Sequence, residues 1–173
     1  MSTTGSYDRY PATTILAANA SSWTIYAIGT YVLSRIWVWV ALPYLLYVIW
    51  LEIRLLKTGC ANCAYYGRAC AFGRGSLCAL FFPAGDPSRF ADRDIRWTDM
   101  IPDMLVWIAP LLAGKVHLIL TGWSWLIASL LVALLALGAV GPVFVWGTLA
   151  CPHCEQRTIG CPACELFAGT SDE

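Results

Sequence analysis

The chain has 173 residues, of which 58% are hydrophobic and only 13% are charged. A soluble domain of average composition carries about 25% charged residues, so this composition indicates a membrane protein. Eleven Lys and Arg residues are balanced by eleven Asp and Glu residues, and the lack of a basic excess argues against nucleic acid as a partner.

The N-terminal segment, residues 1–35, has no positively charged start followed directly by an apolar run and a cleavage site, so we expect no removed signal peptide. Its apolar part, residues 22–33, is separated from the next apolar run only by Ser34 and Arg35. Two residues are too few for a comfortable turn between antiparallel helices. We therefore expect an interfacial helix or a continuation of the following helix, with the N-terminus outside.

Residues 36–56 form an apolar run that predicts a transmembrane helix, because about 20 helical residues cross the hydrocarbon core of a bilayer. Pro43 lies inside this run and predicts a kink, since proline is tolerated in membrane-spanning helices. Two further apolar runs within residues 104–149 are joined by a short turn at Thr121 and Gly122. These two runs predict a transmembrane helical hairpin.

The predicted fold class is an all-α membrane protein with about three transmembrane helices, a Cys-rich loop (residues 57–103) and a Cys-rich C-terminal tail (residues 150–173). A hairpin returns the chain to the side it left, so the loop and the tail face the same compartment. Eight of the eleven Lys and Arg residues lie in or beside these two segments, and Arg9, Arg35 and Lys115 lie near the other face. This bias predicts that the loop and tail are cytoplasmic.

All eight cysteines lie in the loop and the tail, and none lies in a predicted span. The cytosol keeps thiols reduced, so we expect metal binding rather than disulfides. A C-x2-C turn places two thiolates within reach of one ion, and two such turns complete a tetrahedral shell of four sulfurs. The predicted metal ligands are Cys60, Cys63, Cys70, Cys78, Cys151, Cys154, Cys161 and Cys164.

The spacing C-x2-C-x6-C occurs twice, from Cys60 to Cys70 and from Cys151 to Cys161. The tail then adds Cys164 after two residues, so its two pairs could close one site alone. In the loop, seven residues separate Cys70 from Cys78. The number of sites and the division of ligands between loop and tail stay open at this point.

Proline follows the first cysteine of each tail pair, whereas in the bacterial ferredoxin run a proline follows the last cysteine. The tail arrangement is typical of zinc knuckles and rubredoxin loops, and zinc and a single iron accept the same ligands. We expect zinc, with iron or an iron–sulfur cluster as the alternative.

The two histidines offer weaker alternatives. His153, inside the first tail pair, could replace a cysteine as a ligand, but four thiolates are already present and a surface position is the simpler expectation. His117 is the one histidine in the predicted spans, which argues against a haem held by paired histidines. The sequence carries no Ser-His-Asp set and no cofactor fingerprint, and so favours a non-catalytic protein.

Two motifs, CxNCxYYGxxCxxGxG from Cys60 to Gly75 and CxxCxQRxxGCPA from Cys151 to Ala163, resemble those of a family of small prokaryotic membrane proteins without an established activity. The resemblance covers about residues 33–167. It implies the order span, cysteine loop, hairpin and cysteine tail in a prokaryotic inner membrane. It also implies that loop and tail share ligands, with a common set of Cys60, Cys63, Cys70, Cys151, Cys154 and Cys161.

The expected function is that of a non-catalytic subunit or assembly factor of a membrane complex, whose structural zinc stabilises a cytoplasmic face that docks a protein partner. Closed sites of four sulfurs are usually structural, and a soluble part this short needs a metal in place of a large core. Two alternatives remain: electron transfer from an iron or iron–sulfur centre to quinone, and transport of a soft metal by exposed thiolates.

Overall fold

The computed structural model describes residues 5–92 and 97–164, and the parts of the predicted loop and tail at residues 93–96 and 165–173 lie outside the described residues. The described chain is helical, without a strand. Its elements are α1 (Ala12–Ile36), α2 (Val38–Thr58), a 3-10 turn (Cys60–Asn62), α3 (Arg74–Phe81), α4 (Pro87–Ala91), α5 (Trp97–Thr121), α6 (Trp125–Ala139), α7 (Gly141–Phe144), a π-helical segment (Val145–Ala150), a second 3-10 turn (Cys151–His153) and α8 (Gln156–Ile159).

Three helical stretches of the described chain are long and apolar enough to cross a membrane: Val38–Asn62, Thr98–Thr121 and Trp125–His153. Much of their apolar surface faces outward, as lipid-contacting helices require; Ile119, for example, is 79% exposed. The prediction of an all-α, multi-pass membrane protein with three such helices is confirmed. The binding of metal by the loop and tail stays a prediction.

The chain divides into two compact units. The cysteine unit consists of the described parts of Met1–Asn19, Ile53–Ile95 and Pro142–Glu173, and the helical unit consists of those of Ala20–Glu52 and Arg96–Gly141. All eight cysteines fall in the cysteine unit, and the greater part of each long helix falls in the helical unit.

Within the helical unit, α1 and α2 pack side by side as an antiparallel pair. The Tyr26 hydroxyl donates to the Glu52 carboxylate at 2.7 Å, and Gly29 leaves room for the Tyr44 ring. In one continuous helix these partners would lie more than about 20 Å apart, at 1.5 Å per residue. The expectation that α1 continues into α2 is therefore wrong. The chain reverses at Trp37, whose N–H still donates to the Leu33 carbonyl at 3.1 Å.

Glycines let the remaining helices of this unit approach closely. A Cβ on Gly114 would lie 2.6 Å from Leu131 and 2.9 Å from Val32. These contacts bring α5 against both α6 and α1. Helices in membranes usually associate through close approach at small residues. Lipid tails are as apolar as the side chains, so the hydrophobic effect does not drive helices together there. Thus α1 packs against α5 within the helical unit, and whether it crosses the membrane or lies at its surface stays open.

The N-terminal residues pack in the cysteine unit. Tyr7 N–H donates to the His153 carbonyl at 3.1 Å, and Tyr10 N–H donates to the Ala69 carbonyl at 2.9 Å. The expectation that the N-terminus lies on the face opposite to the loop and tail is therefore wrong. The physical reason is the reversal at Trp37: α1 leads the chain out of the cysteine unit and α2 leads it back.

Candidate metal centre

The two C-x2-C pairs have nearly the same backbone conformation. Each pair begins in a 3-10 turn and ends at an extended second cysteine, with φ −96° and ψ 149° at Cys63 and φ −83° and ψ 121° at Cys154. In each pair the N–H of the second cysteine donates to the carbonyl of the first at 3.3 Å. The sequence repeat is therefore also a structural repeat, and each copy begins in the last residues of a candidate membrane-crossing stretch.

Backbone N–H groups point at the second sulfur of each pair. Burial raises the pKa of Cys63 to about 12, and the Tyr65 N–H opposes this rise by donating to the sulfur. At Cys154 the pKa is lowered, first by a hydrogen bond from Cys164 and also by the N–H groups of Gln156 and Arg157. Donors placed in this way stabilise a thiolate, which is the form that binds metal.

The four tail cysteines lie together. Cys151, Cys161 and Cys164 form one buried cluster, 2%, 5% and 2% exposed, and Cys154 packs against them. The other three sulfurs lie near the thiol of Cys164 and raise its pKa. Metal binding needs deprotonated sulfurs, so a divalent cation bound here would displace thiol protons.

No group of three or more His, Cys, Asp or Glu residues in the described chain already has the arrangement of a metal site. The tail sulfurs pack on Cys164 instead, so an ion at the usual Zn–S distance of about 2.3 Å requires their side chains to shift. All eight cysteines are free thiols. The chemistry of the donor set thus fits zinc or iron.

The loop cysteines divide into two kinds. Cys60, Cys63 and Cys70 are half-buried, and the charges of Cys154, Cys70 and Cys161 add to the rise in the Cys63 pKa. Cys63 therefore lies within electrostatic reach of both the loop and the tail sulfurs.

Cys78 is more deeply buried than the other loop cysteines, in a cluster against which Cys60 packs. It is fully buried against Leu56 and Ala61, and its thiol donates to the Leu56 carbonyl at 3.4 Å. A thiol that donates to a carbonyl is protonated, and burial raises its pKa further. The structure thus places Cys78 in a small apolar core, although the prediction that it is a ligand is not itself tested.

Gln156 joins the two copies of the repeat. Its side chain is only 1% exposed. The amide oxygen accepts from the N–H of Ala64, the residue after Cys63, at 2.7 Å, and the amide nitrogen donates to the Gly160 carbonyl at 3.0 Å. The sequence reasoning missed this role. The available signal was a polar residue two positions after Cys154 within the tail motif.

Tyr65 and Arg68 tie the N-terminal segment to the loop and tail. The hydroxyl of Tyr65, a residue 1% exposed, donates to the Tyr7 carbonyl at 2.6 Å and accepts from the Glu155 N–H at 3.1 Å. The Arg68 guanidinium pairs with Asp8 at 2.7 Å and with Glu155 at 2.8 Å. Three distant parts of the sequence therefore meet around the two cysteine pairs.

His153 is half-buried rather than at the surface. Its ring lies against that of Tyr7, with 4.4 Å between the ring centroids, and its buried Nδ1 has no hydrogen-bond partner among the described residues. The stacking on Tyr7 explains the position of the ring. The structure does not place His153 in the buried tail cluster.

Comparison of the chain with protein-family models, with curated proteins and with solved structures found no match. The family resemblance carried by the two cysteine motifs stays a prediction.

Proposed function

We propose that this membrane protein binds a structural zinc ion through Cys151, Cys154, Cys161 and Cys164, and that it acts as a non-catalytic subunit or assembly factor of a membrane complex. The observation that carries this proposal is the buried tail cluster of Cys151, Cys161 and Cys164, against which Cys154 packs. Four cysteines in a closed shell leave no open position for a substrate, and such sites are usually structural.

The make-up of the cysteine unit supports a structural role for the ion. Its described apolar clusters are small, and one of them consists of Tyr10, Tyr65, Ala71 and Ala150 with a few half-buried neighbours. Small cores contribute little to folding stability, and in small domains a bound metal commonly supplies the stability that the core lacks. An ion in the tail would stabilise the whole unit, because Gln156 and Tyr65 connect the tail to the loop and to the N-terminal segment.

We also propose that the cysteine unit faces the cytoplasm of a prokaryotic inner membrane. Since the N-terminal segment packs in this unit, Arg9 joins the eight Lys and Arg residues in or beside the loop and tail, which leaves only Arg35 and Lys115 for the opposite side. A bias of nine to two is stronger than the one read from the sequence alone. Basic residues concentrate on the cytoplasmic side of membrane proteins.

A second candidate is a soft-metal carrier. It is favoured by the half-buried loop thiols Cys60, Cys63 and Cys70, which are more accessible than the tail cluster, and by the electrostatic reach of Cys63 to Cys154 and Cys161. In that case an ion would enter at the loop and pass to the tail. An iron ion bound by the same cysteines would instead support electron transfer to quinone, since zinc and iron accept the same ligands.

The test is the metal content of the full-length protein purified in detergent, measured by elemental analysis together with a visible spectrum. We expect a colourless protein with about one tightly held zinc per chain. The double variant Cys151→Ser/Cys154→Ser removes half of the tail ligands and should lose most of this zinc. The matched control is Cys78→Ser, which keeps a donor to the Leu56 carbonyl and should keep the zinc.

The outcomes separate the candidates. Zinc content unchanged in the double variant would overturn the tail site. A coloured protein containing iron would replace the structural role with electron transfer, and zinc released rapidly to a weak chelator would support the carrier.

A further inference from the structure

Helix α3 has one face packed in the cysteine unit and one apolar face exposed. Gly75 and Cys78 are buried, whereas Leu77, Leu80 and Phe81 are 45%, 77% and 70% exposed. Residues three and four positions apart lie on the same face of a helix, so these three side chains form a continuous apolar stripe. Nothing in the described chain buries this stripe.

The packed face fixes the position of α3 along a membrane-spanning helix. Cys78 donates to the Leu56 carbonyl at 3.4 Å, and both residues share a buried cluster with Ala61. Leu56 lies in the apolar stretch Val38–Asn62, about 27 Å along the helix from Val38 at 1.5 Å per residue. The hydrocarbon core of a bilayer is about 30 Å thick. Helix α3 therefore packs beside the end of a stretch that is long and apolar enough to cross a membrane.

The charges around the stripe suit a lipid surface. Arg74 is the only charged residue of α3, which has no acidic side chain. The exposed Lys57 follows Leu56 directly at the end of α2. Cations beside an apolar helix face are attracted to anionic lipid headgroups.

We propose that α3 is an interfacial helix whose apolar stripe, Leu77, Leu80 and Phe81, inserts into the headgroup and upper acyl region of the membrane that α2 spans. The occupant of this face is lipid, because α3 packs beside the end of a candidate span and carries one cation and no carboxylate. The cysteine loop is then anchored to the bilayer surface through α3, which begins four residues after Cys70.

The experiment uses the full chain in nanodiscs with an environment-sensitive fluorescent amino acid at Leu80. Lipids that carry a quencher high on the acyl chain report contact between the probe and the membrane. The matched control places the probe at Arg89, an exposed residue of α4 in the same unit. We expect quenching at position 80 to exceed that at position 89 by about twofold or more, and adding anionic lipid should increase the difference.

Equal quenching at the two positions would overturn the proposal. A blue-shifted emission at position 80 without quenching by lipid would assign the stripe to protein, either a second copy or a partner, and would also overturn it. Because both probes replace exposed side chains, folding is preserved, and a matching circular dichroism spectrum checks this. A second variant, Phe81→Gln, should reduce quenching at position 80, since it removes a neighbouring apolar contact with lipid.

Discussion

At the scale of single residues, Gln156 determines how the two cysteine pairs are held relative to each other. Its side chain is buried, and both polar atoms of its amide form hydrogen bonds. The oxygen accepts from the N–H of the residue after Cys63, and the nitrogen donates to the Gly160 carbonyl. Buried polar groups are costly when unpaired, by about 1–3 kcal/mol each. The same bonds that orient the pairs therefore make this position intolerant of apolar replacement.

We predict that Gln156→Leu destabilises the contact between loop and tail by about 2 kcal/mol, because it leaves the Ala64 N–H without its partner. Hydrogen–deuterium exchange followed by mass spectrometry should show faster exchange in the peptide that contains Ala64, by about tenfold or more. The matched control is Arg157→Gln at the neighbouring exposed position, for which we expect exchange near that of the wild type. Equal protection in the two variants would argue against the role of Gln156.

At the scale of elements, glycines rather than long apolar side chains permit the close packing of α5 and α6. A Cβ on Gly138 would lie 2.5 Å from the Trp107 ring. The indole ring is rigid, so rotation of a terminal bond cannot relieve this clash. In lipid, such close contacts provide much of the attraction between helices. The long apolar faces that dominate the composition point outward, and contribute little to helix pairing.

We predict that Gly138→Ala lowers the stability of the helical unit by about 1–3 kcal/mol through overpacking against Trp107. The measurement is the midpoint of thermal unfolding in detergent, followed by the loss of the monodisperse peak in gel filtration. Gly147→Ala serves as the control, because a Cβ there meets no atom within 4 Å. A midpoint as high for Gly138→Ala as for Gly147→Ala would contradict the packing argument.

At the scale of the whole molecule, the chain leaves the cysteine unit twice and returns twice. Helix α1 leads out and α2 leads back to the loop; α5 leads out and α6 leads back to the tail. The described N-terminal residues, the loop and the tail thus belong to one unit, and Trp37 and Gly122 belong to the other.

We predict that topology reporters fused before Met1 and after Glu173 are both active only in the cytoplasm, because the two hairpins return the chain to its starting side and the basic residues favour that side. A reporter inserted at Gly122 should be active only outside. This glycine has φ +97°, and a Cβ added to it would meet no atom within 4 Å, so the insertion should be tolerated. Termini reported on opposite sides would show that α1 does not traverse the membrane.

Much of the architecture was predictable because it depends on local properties of the chain. Three apolar runs of sufficient length predict three spans, since a bilayer demands about 20 helical residues. The spacing of Cys151, Cys154, Cys161 and Cys164 predicts that the tail cysteines come together, because a C-x2-C turn closes within a few residues. Because the C-x2-C turn is local, Cys60–Cys63 and Cys151–Cys154 have similar backbone conformations although they lie far apart in the sequence.

The sequence by itself therefore determined the membrane class, the three most apolar helices and the two cysteine turns. Only the tertiary structure decided that α1 folds back at Trp37, that Cys78 belongs to an apolar core, and that Gln156 bridges the two turns. These features depend on contacts between residues far apart in the chain, such as the 92 positions between Ala64 and Gln156. Hydropathy and cysteine spacing depend only on residues that are close in the sequence. Packing and hydrogen bonding in three dimensions determine which distant residues become partners.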